Sequence, residues 1–145
     1  MKKKADNIYP QAPRVGVGAI VIHDGRVLLV RRGIEPSLGL WAVPGGKLKL
    51  GESLRECAAR EILEETGVTI KVGKCIYVFD YLEQDDKGGI KFHYVVIDFA
   101  GEYISGEPKG ADDAAEARWL TPEDVLSLPV ANNTLAALKT IGYLD

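Results

Sequence analysis

Glutamates concentrate in one stretch of the chain, residues 46–68, with the sequence GKLKLGESLRECAAREILEETGV. Glu52 precedes a predicted helix, and Glu61, Glu64 and Glu65 lie along it. Glutamates three and four residues apart share one face of a helix, where like charges repel each other by about 0.2–0.5 kcal/mol per pair. Carboxylate oxygens are also the ligands that hard divalent cations prefer. The pattern therefore predicts a metal ion between these side chains.

The elements that must position these glutamates fit within one domain. The chain has 145 residues, of which 46% are hydrophobic and 27% charged, as in soluble globular proteins. Because it shows no repeat or linker, we expect a flexible N-terminal segment at residues 1–13 and a single domain at residues 14–145. The net charge of −3 argues against nucleic acid as a partner, whereas a small phosphorylated substrate needs only a local positive patch.

The cysteines and the N-terminus indicate a cellular compartment. Cys57 and Cys75 have neither a CxxC spacing nor a neighbouring histidine, so they predict no zinc site and no disulfide framework. The N-terminal MKKKADN has the positive charge of a signal peptide without the apolar run, and no segment approaches the roughly 20 apolar residues of a membrane span. We therefore expect a cytoplasmic protein that does not bind a membrane.

Two apolar runs open the folded part of the chain, residues 15–22 and 27–30, and they flank Asp24-Gly25. Asp-Gly between β-branched residues is a strong hairpin signal, so we expect two antiparallel strands in the centre of a sheet. Residues 31–46 contain prolines and glycines among apolar side chains. This composition predicts a loop that packs onto the body of the protein.

A helix is predicted to begin after Ser53, which forms a capping box with Glu56, and to end at Gly67. Cys57 and Arg60 fall at the edge of its acidic side. The opposite side is expected to pack against the sheet and consists of Leu54, Ala58, Ala59, Ile62 and Leu63.

The rest of the chain alternates apolar and polar segments. Thr121 and Pro122 mark a helix start, and Leu135, Leu138 and Ile141 define the apolar side of a final helix. Strands are predicted at residues 68–72, 75–82, 90–99 and 117–120, and a polar loop is predicted at residues 102–115.

Residues 46–68 resemble the Nudix box, the signature of a family of nucleoside diphosphate hydrolases. The box is a glycine, five residues, a glutamate, seven residues, and then Arg-Glu-apolar-any-Glu-Glu-any-Gly-apolar. Residues 39–46, GLWAVPGG, are similar to the loop that precedes the box in many members, and the resemblance extends from Arg14 onward. The chain matches every fixed position of the box with Gly46, Glu52, Arg60, Glu61, Ile62, Glu64, Glu65, Gly67 and Val68.

The resemblance implies an α/β (α+β) fold in which a mixed β-sheet is sandwiched between helices. It also implies hydrolysis of a diphosphate bond with Mg²⁺ or Mn²⁺, ions that can bridge phosphate oxygens and acidify a bound water. Glu61, Glu64 and Glu65 would bind the metal, the Gly46 carbonyl would be a further ligand, and Arg60 would orient a carboxylate. The catalytic residues implied are Glu52, Arg60, Glu61, Glu64 and Glu65.

The general base has more than one candidate, because neighbouring carboxylates raise the pKa of a glutamate while a metal lowers it. Members of the family use either a glutamate of the box or an acidic residue of a later loop. We place Glu64 ahead of the later acids Asp112, Asp113 and Glu116.

Substrate-binding candidates lie around the box. Arg31 and Arg32 end the second strand, where a phosphate contact and ordinary exposure are equally supported. Gly45 lets the backbone approach a ligand, and Trp41 is expected to pack its loop more than to stack on a base. Five aromatic residues are expected in the core or in cross-strand pairs, although one of them could stack on a nucleobase: Tyr77, Phe79, Tyr81, Phe92 and Tyr94.

ADP-ribose or a related nucleotide sugar is the first substrate hypothesis, because this small single-domain chain resembles chains with that activity. The proline that ADP-ribose hydrolases often carry shortly after the box is missing. The alternatives are a MutT-type hydrolase of (oxidised) nucleoside triphosphates and a non-catalytic nucleotide-binding sensor. Homodimers are common in the family, and the apolar strands could supply such an interface.

Overall fold

The computed structural model describes residues 8–145. The predicted flexible segment, residues 1–13, therefore lies largely outside the described residues. Tyr9 is described, and it contacts the body of the protein twice. Its backbone N–H donates to the Lys91 carbonyl at 2.9 Å, and its hydroxyl donates to Asp85 at 2.8 Å.

The fold is the predicted mixture of strands and helices. None of the helices formed by residues 8–145 has the length and apolar composition needed to cross a membrane. The strands are β1 (Arg14–His23), β2 (Arg26–Arg32), β3 (Trp41–Ala42), β4 (Gly45–Lys47), β5 (Thr69–Gln84), β6 (Ile90–Ser105) and β7 (Ala114–Leu120). The helices are α1 (Leu54–Thr66), α2 (Pro122–Ser127) and α3 (Asn132–Thr140).

The strands form one mixed sheet with the order β3-β2-β1-β6-β5, in which β4 also pairs with β1 and β7 with β2. The predicted hairpin of β1 and β2 is confirmed, but the two strands pair only through Ile22 and His23. Nearer its N-terminal end, β1 pairs with β4 through residues 16–18 on one side and runs parallel to β6 on the other. Because β2 diverges from β1 in this way, the sheet opens between them.

Helices cover both faces of the sheet, as the resemblance implied. On one face Ile62 of α1 packs with Val21 and Leu28. On the other face Leu138 of α3 packs with Leu29, beside residues of α2. Side chains at successive strand positions point to opposite faces, so neighbouring residues of β2 contribute to two different clusters.

The buried side of α1 differs from the predicted one. Leu63 was expected to pack but is 51% exposed, whereas Cys57 is buried. The reason is a contact at the end of the helix, where Glu65 accepts a hydrogen bond from the Gly45 N–H at 3.1 Å. This contact turns Glu65 inward and Leu63 outward.

Three strand predictions also differ from the structure. The strands predicted at residues 68–72 and 75–82 are one long strand, β5, which begins at Thr69 and whose pairing with β6 shifts register between Val72 and Tyr77. The predicted polar loop at residues 102–115 begins later, because β6 continues to Ser105. The loop at residues 31–46 contains the short strands β3 and β4, which pair with β2 and β1.

The predicted capping of α1 is confirmed. The Ser53 hydroxyl accepts the Glu56 N–H at 3.1 Å, and the Ser53 N–H donates to the Glu56 carboxylate at 2.9 Å. At the other end Gly67 adopts φ 77° and donates its N–H to the Leu63 carbonyl. These contacts set where the helix begins and ends, and thereby the positions of its glutamates.

We expect Ser53→Ala to lower the free energy of unfolding by about 1 kcal/mol, because the Glu56 N–H loses its acceptor. Urea denaturation followed by circular dichroism measures this loss. Ser53→Thr is the matched control, since it keeps a hydroxyl at the cap. Equal denaturation midpoints for wild type and Ser53→Ala would contradict a role of the cap in stability.

Candidate active site

A cavity of about 490 Å³ lies where β1 changes its pairing partner. On one side of β1 it is lined by β4 and by the acidic face of α1. On the other side it is lined by β5, β6 and the first turn of α3. The cavity therefore joins the glutamates of the box to a wall built from β5 and β6.

Two glycines let α1 approach the backbone of β4. A side chain at Gly46 would collide with the carboxylate of Glu61, and one at Gly45 would collide with the backbone of Val17. The Gly45 N–H points instead at Glu65, to which it donates a hydrogen bond at 3.1 Å. Gly45 and Gly46 are thus needed for the close contact between the carboxylates and the chain that precedes the helix.

Arg60 connects three of the box glutamates. Its guanidinium donates to Glu52 at 2.6 Å, to Glu61 at 2.8 Å and to Glu64 at 3.1 Å. A further N–H of the same group reaches the Lys47 carbonyl at 3.3 Å. The hydrogen bond from Arg60 is the main reason that the pKa of Glu52 is lowered to about 2. Arg60 therefore connects the carboxylates of three glutamates to the backbone of β4.

Glu65 has a different environment, because it is 6% exposed. Burial is the main cause that raises its pKa to about 8, and the negative charges of Glu61 and Asp113 act in the same direction. The hydrogen bond from Gly45 and the charge of Arg32 act in the opposite direction. A buried carboxylate with this little compensation would be stabilised by a cation.

The donor atoms at this end of the cavity suit a hard divalent cation, because they are carboxylate and carbonyl oxygens. Within residues 8–145, however, no three His, Cys, Asp or Glu side chains converge closely enough to hold a metal ion as they stand. The guanidinium of Arg60 contacts carboxylate oxygens of Glu61 and Glu64 at the same end of the cavity.

Most of the predicted site residues line this cavity. This group comprises Arg32, Gly45, Gly46, Arg60, Glu61, Glu64, Glu65, Asp112 and Asp113. Glu52 is not among the lining residues and contacts the site through Arg60.

Three predicted residues lie elsewhere. Arg31 forms an ion pair with Glu116 of β7 at 2.8 Å, so each of these side chains is engaged by the other. Trp41 is 2% exposed and packs in the core beneath the guanidinium of Arg118. This placement favours the packing role that we preferred for Trp41 over stacking on a base.

The sequence analysis missed several residues of the cavity wall. Arg14 and Asp98 line it from β1 and β6, and Asn133 and Thr134 line it from α3. The available signal was the position of Asp98, a charged residue that interrupts the apolar run at residues 95–100 of β6. Of the aromatic candidates, those that reach the cavity are Phe79, Tyr81 and Tyr94.

The sequence model of the NUDIX domain family matches residues 12–140, a span that includes all the residues lining the cavity. The chain belongs to the Nudix family. As a Nudix hydrolase, it is expected to share with other members a box that works with a divalent metal, which agrees with the oxygen donors described above.

Two relatives of this chain differ in the substrates that their names give. An ADP-ribose pyrophosphatase from Methanocaldococcus jannaschii is 38% identical over 117 residues, which are 81% of this chain. This chain spans only 65% of the length of that relative. The CTP pyrophosphohydrolase of Escherichia coli K12 is 33% identical over 130 residues, which are 88% of this chain and 90% of that protein.

A solved structure agrees with the fold. The crystal structure of a MutT NUDIX hydrolase from Burkholderia pseudomallei matches with a TM-score of 0.77 and 32% identity. The match covers 90% of this chain and 99% of that one. This Nudix hydrolase therefore shares the sheet and helices of that structure over most of its length.

We expect Glu52→Gln to make the free energy of unfolding depend less on pH in the acid range. Because the pKa of Glu52 is lowered in the folded state, its ion pair stabilises the protein above the ordinary glutamate pKa of about 4.3 and is lost as the pH falls towards 2. Between about pH 5 and pH 3, urea denaturation should show wild type losing about 1–2 kcal/mol more than Glu52→Gln. Parallel profiles for the two proteins would contradict the assignment.

Proposed function

We propose that this Nudix hydrolase cleaves the diphosphate bond of a nucleoside diphosphate joined to another group, with ADP-ribose as the first candidate. The observation that carries the proposal is the contact of Glu61 and Glu65 with the Gly45-Gly46 backbone inside the cavity. The similarity to the M. jannaschii ADP-ribose pyrophosphatase supports the choice of substrate.

The metal-binding residues in this proposal are Glu61, Glu64 and Glu65, with the Gly46 carbonyl as a further ligand. When bound, Mg²⁺ or Mn²⁺ would neutralise phosphate charge and acidify a water. The burial of Glu65 favours such an ion, since a nearby cation stabilises its ionised form. Arg60 keeps Glu61 and Glu64 oriented through the two hydrogen bonds described above.

Glu64 is our candidate for the general base. Its side chain is 41% exposed and lines the cavity, so a water can reach it, and its carboxylate is held by Arg60 at 3.1 Å. As the oxygen of water bonds to one phosphorus, the proton passes to Glu64 and the bridging P–O bond breaks towards the other phosphate. With ADP-ribose the products are AMP and ribose 5-phosphate. Arg32 also lines the cavity and supplies positive charge for the phosphates.

A nucleoside triphosphate is the second candidate substrate. The observation in its favour is the similarity to the CTP pyrophosphohydrolase of E. coli K12, of which this chain covers 90%. The same arrangement of carboxylates would then release a nucleoside monophosphate and inorganic pyrophosphate. The two candidates share the reaction and differ in the group that leaves.

We expect Glu61→Gln and Glu65→Gln each to lower kcat/KM on ADP-ribose by at least about 100-fold, because each removes a charged metal ligand. Phosphate release, with Mg²⁺ or Mn²⁺ and with a chelator, measures this loss. The coupling enzyme is a phosphatase for ADP-ribose, nucleotide sugars and dinucleoside polyphosphates, and an inorganic pyrophosphatase for nucleoside triphosphates. Glu102→Gln is the control, since Glu102 is an exposed residue of β6 outside the cavity.

Absence of release from every substrate with either metal would contradict the proposal. Nucleotide binding that persists in wild type without any turnover would favour the sensor alternative.

The choice of base is tested by comparing Glu64→Gln with Asp112→Asn and Asp113→Asn. Loss of a general base lowers kcat by about 10²–10⁴-fold, so we expect that loss for Glu64→Gln and less than about 10-fold for the two aspartate variants. Initial rates at saturating substrate and metal measure kcat. A larger loss in Asp113→Asn than in Glu64→Gln would assign the base to the later loop.

A further inference from the structure

A buried carboxyl group lies on the cavity wall away from the glutamates. Asp98 is 2% exposed, and β6 places it beside Gly18 of β1 and Tyr77 of β5. Within residues 8–145, burial is the cause that raises its pKa to about 7, with no hydrogen bond or charge offsetting it. Buried carboxylates are normally paired, because an uncompensated buried charge is costly. Asp98 therefore lacks a partner that a ligand can supply.

The carboxylate of Asp98 shares its place in the cavity with a second acceptor. A Cβ atom at Gly18 would lie 2.8 Å from the Asp98 Oδ1 atom and 2.6 Å from the Pro44 carbonyl oxygen. The two oxygens thus converge over the same glycine, which has no side chain. Asp98 and Pro44 both line the cavity at this point. The Pro44 carbonyl already accepts the Ala19 N–H at 3.3 Å, and its second lone pair is left for a ligand. Two converging acceptors match a group with two N–H donors, such as an amino group.

The position of Asp98 relative to the glutamates is given by the strand register. Gly45 of β4 is opposite Gly18 of β1, which is in turn opposite Asp98 of β6. Neighbouring strands are separated by about 4.8 Å, so the backbone of Asp98 lies about 10 Å across the sheet from the Gly45 backbone that contacts Glu65. The carboxylate of Asp98 leans back from there towards Pro44. A nucleotide whose phosphates lie at the glutamates can place its base at this distance.

The surroundings of Asp98 also suit a nucleobase. Phe79 and Val96 face the cavity from the next rung of the sheet, and Asn133 and Thr134 face it from α3. An aromatic ring and an aliphatic side chain provide the flat contacts that a base needs, while the amide and hydroxyl provide polar ones. The wall around Asp98 therefore combines stacking surface with hydrogen-bonding groups.

We propose that Asp98 is a specificity residue, and that it accepts a hydrogen bond from the exocyclic amino group of the substrate's nucleobase. This inference rests on the proposed function, which places the phosphates at the glutamates. A base with an amino group at this position, adenine or cytosine, satisfies the buried acceptors. A base with a keto oxygen there, hypoxanthine or uracil, places a third acceptor against them and is selected against.

The experiment compares substrates that differ only at that position. Steady-state kinetics with Mg²⁺ give kcat/KM for ADP-ribose against inosine diphosphate ribose and for CTP against UTP, in wild type and in Asp98→Asn. The asparagine keeps the shape of the side chain but replaces one acceptor oxygen with a donor that can bind a keto oxygen. Asp80→Asn is the matched control, since Asp80 is exposed on the same hairpin outside the cavity.

We expect wild type to prefer the amino-bearing base by about 10-fold or more, and Asp98→Asn to reduce that preference by about 10-fold, mainly through KM. Asp80→Asn should keep the wild-type ratio. An equal ratio in wild type and Asp98→Asn would overturn the inference. In that case Asp98→Asn would lose equally on amino and keto substrates, which is the result expected for a contact with ribose or for a purely structural role.

Failure of the inference is distinguishable from failure of the proposed function. If wild type hydrolyses none of these substrates, calorimetric titration of AMP against IMP and of CMP against UMP still measures the choice of base. A preference for AMP and CMP that is lost in Asp98→Asn would support the role of Asp98 in a protein without turnover. Equal affinities within each pair in wild type would overturn it.

Discussion

The close approach of α1 to the backbone of β4 is the contact on which the rest of the site depends. It requires glycine at positions 45 and 46, because side chains there would meet Val17 and Glu61. It also orients the helix, turning Glu65 towards the sheet and leaving Leu63 exposed. The acidic face consequently opens into the cavity rather than into bulk solvent, where its charges would be screened.

The carboxylates in and around the cavity differ in how far a neighbouring positive charge compensates them. Around Arg60, the carboxylates of Glu52, Glu61 and Glu64 already have a cationic partner. Glu65 and Asp98 are instead buried with far less compensation, and they lie on opposite sides of β1. In the functions proposed here, a metal ion compensates the charge of Glu65, and an amino group of the base donates to Asp98. Such an arrangement would orient a nucleotide along the cavity from phosphate to base.

The features that the sequence predicted well depend on residues close together in the chain. The capping box of α1 and the hairpin between β1 and β2 were predicted correctly, because each is specified by a few adjacent residues. The predictions that were wrong depend on distant segments. The two predicted strands at residues 68–72 and 75–82 form one strand, since β6 pairs with both across an irregular register.

By itself, the sequence determined the family and the spacing of the glutamates along α1, the latter because a helix repeats with a constant period. Only the tertiary structure decided which side chains surround them. Arg31 pairs with Glu116 and Trp41 enters the core, while Asp98 joins the cavity through the register of β6 with β1. The physical reason is that burial and pairing across a sheet depend on segments far apart in the chain, whose relative positions no local pattern specifies.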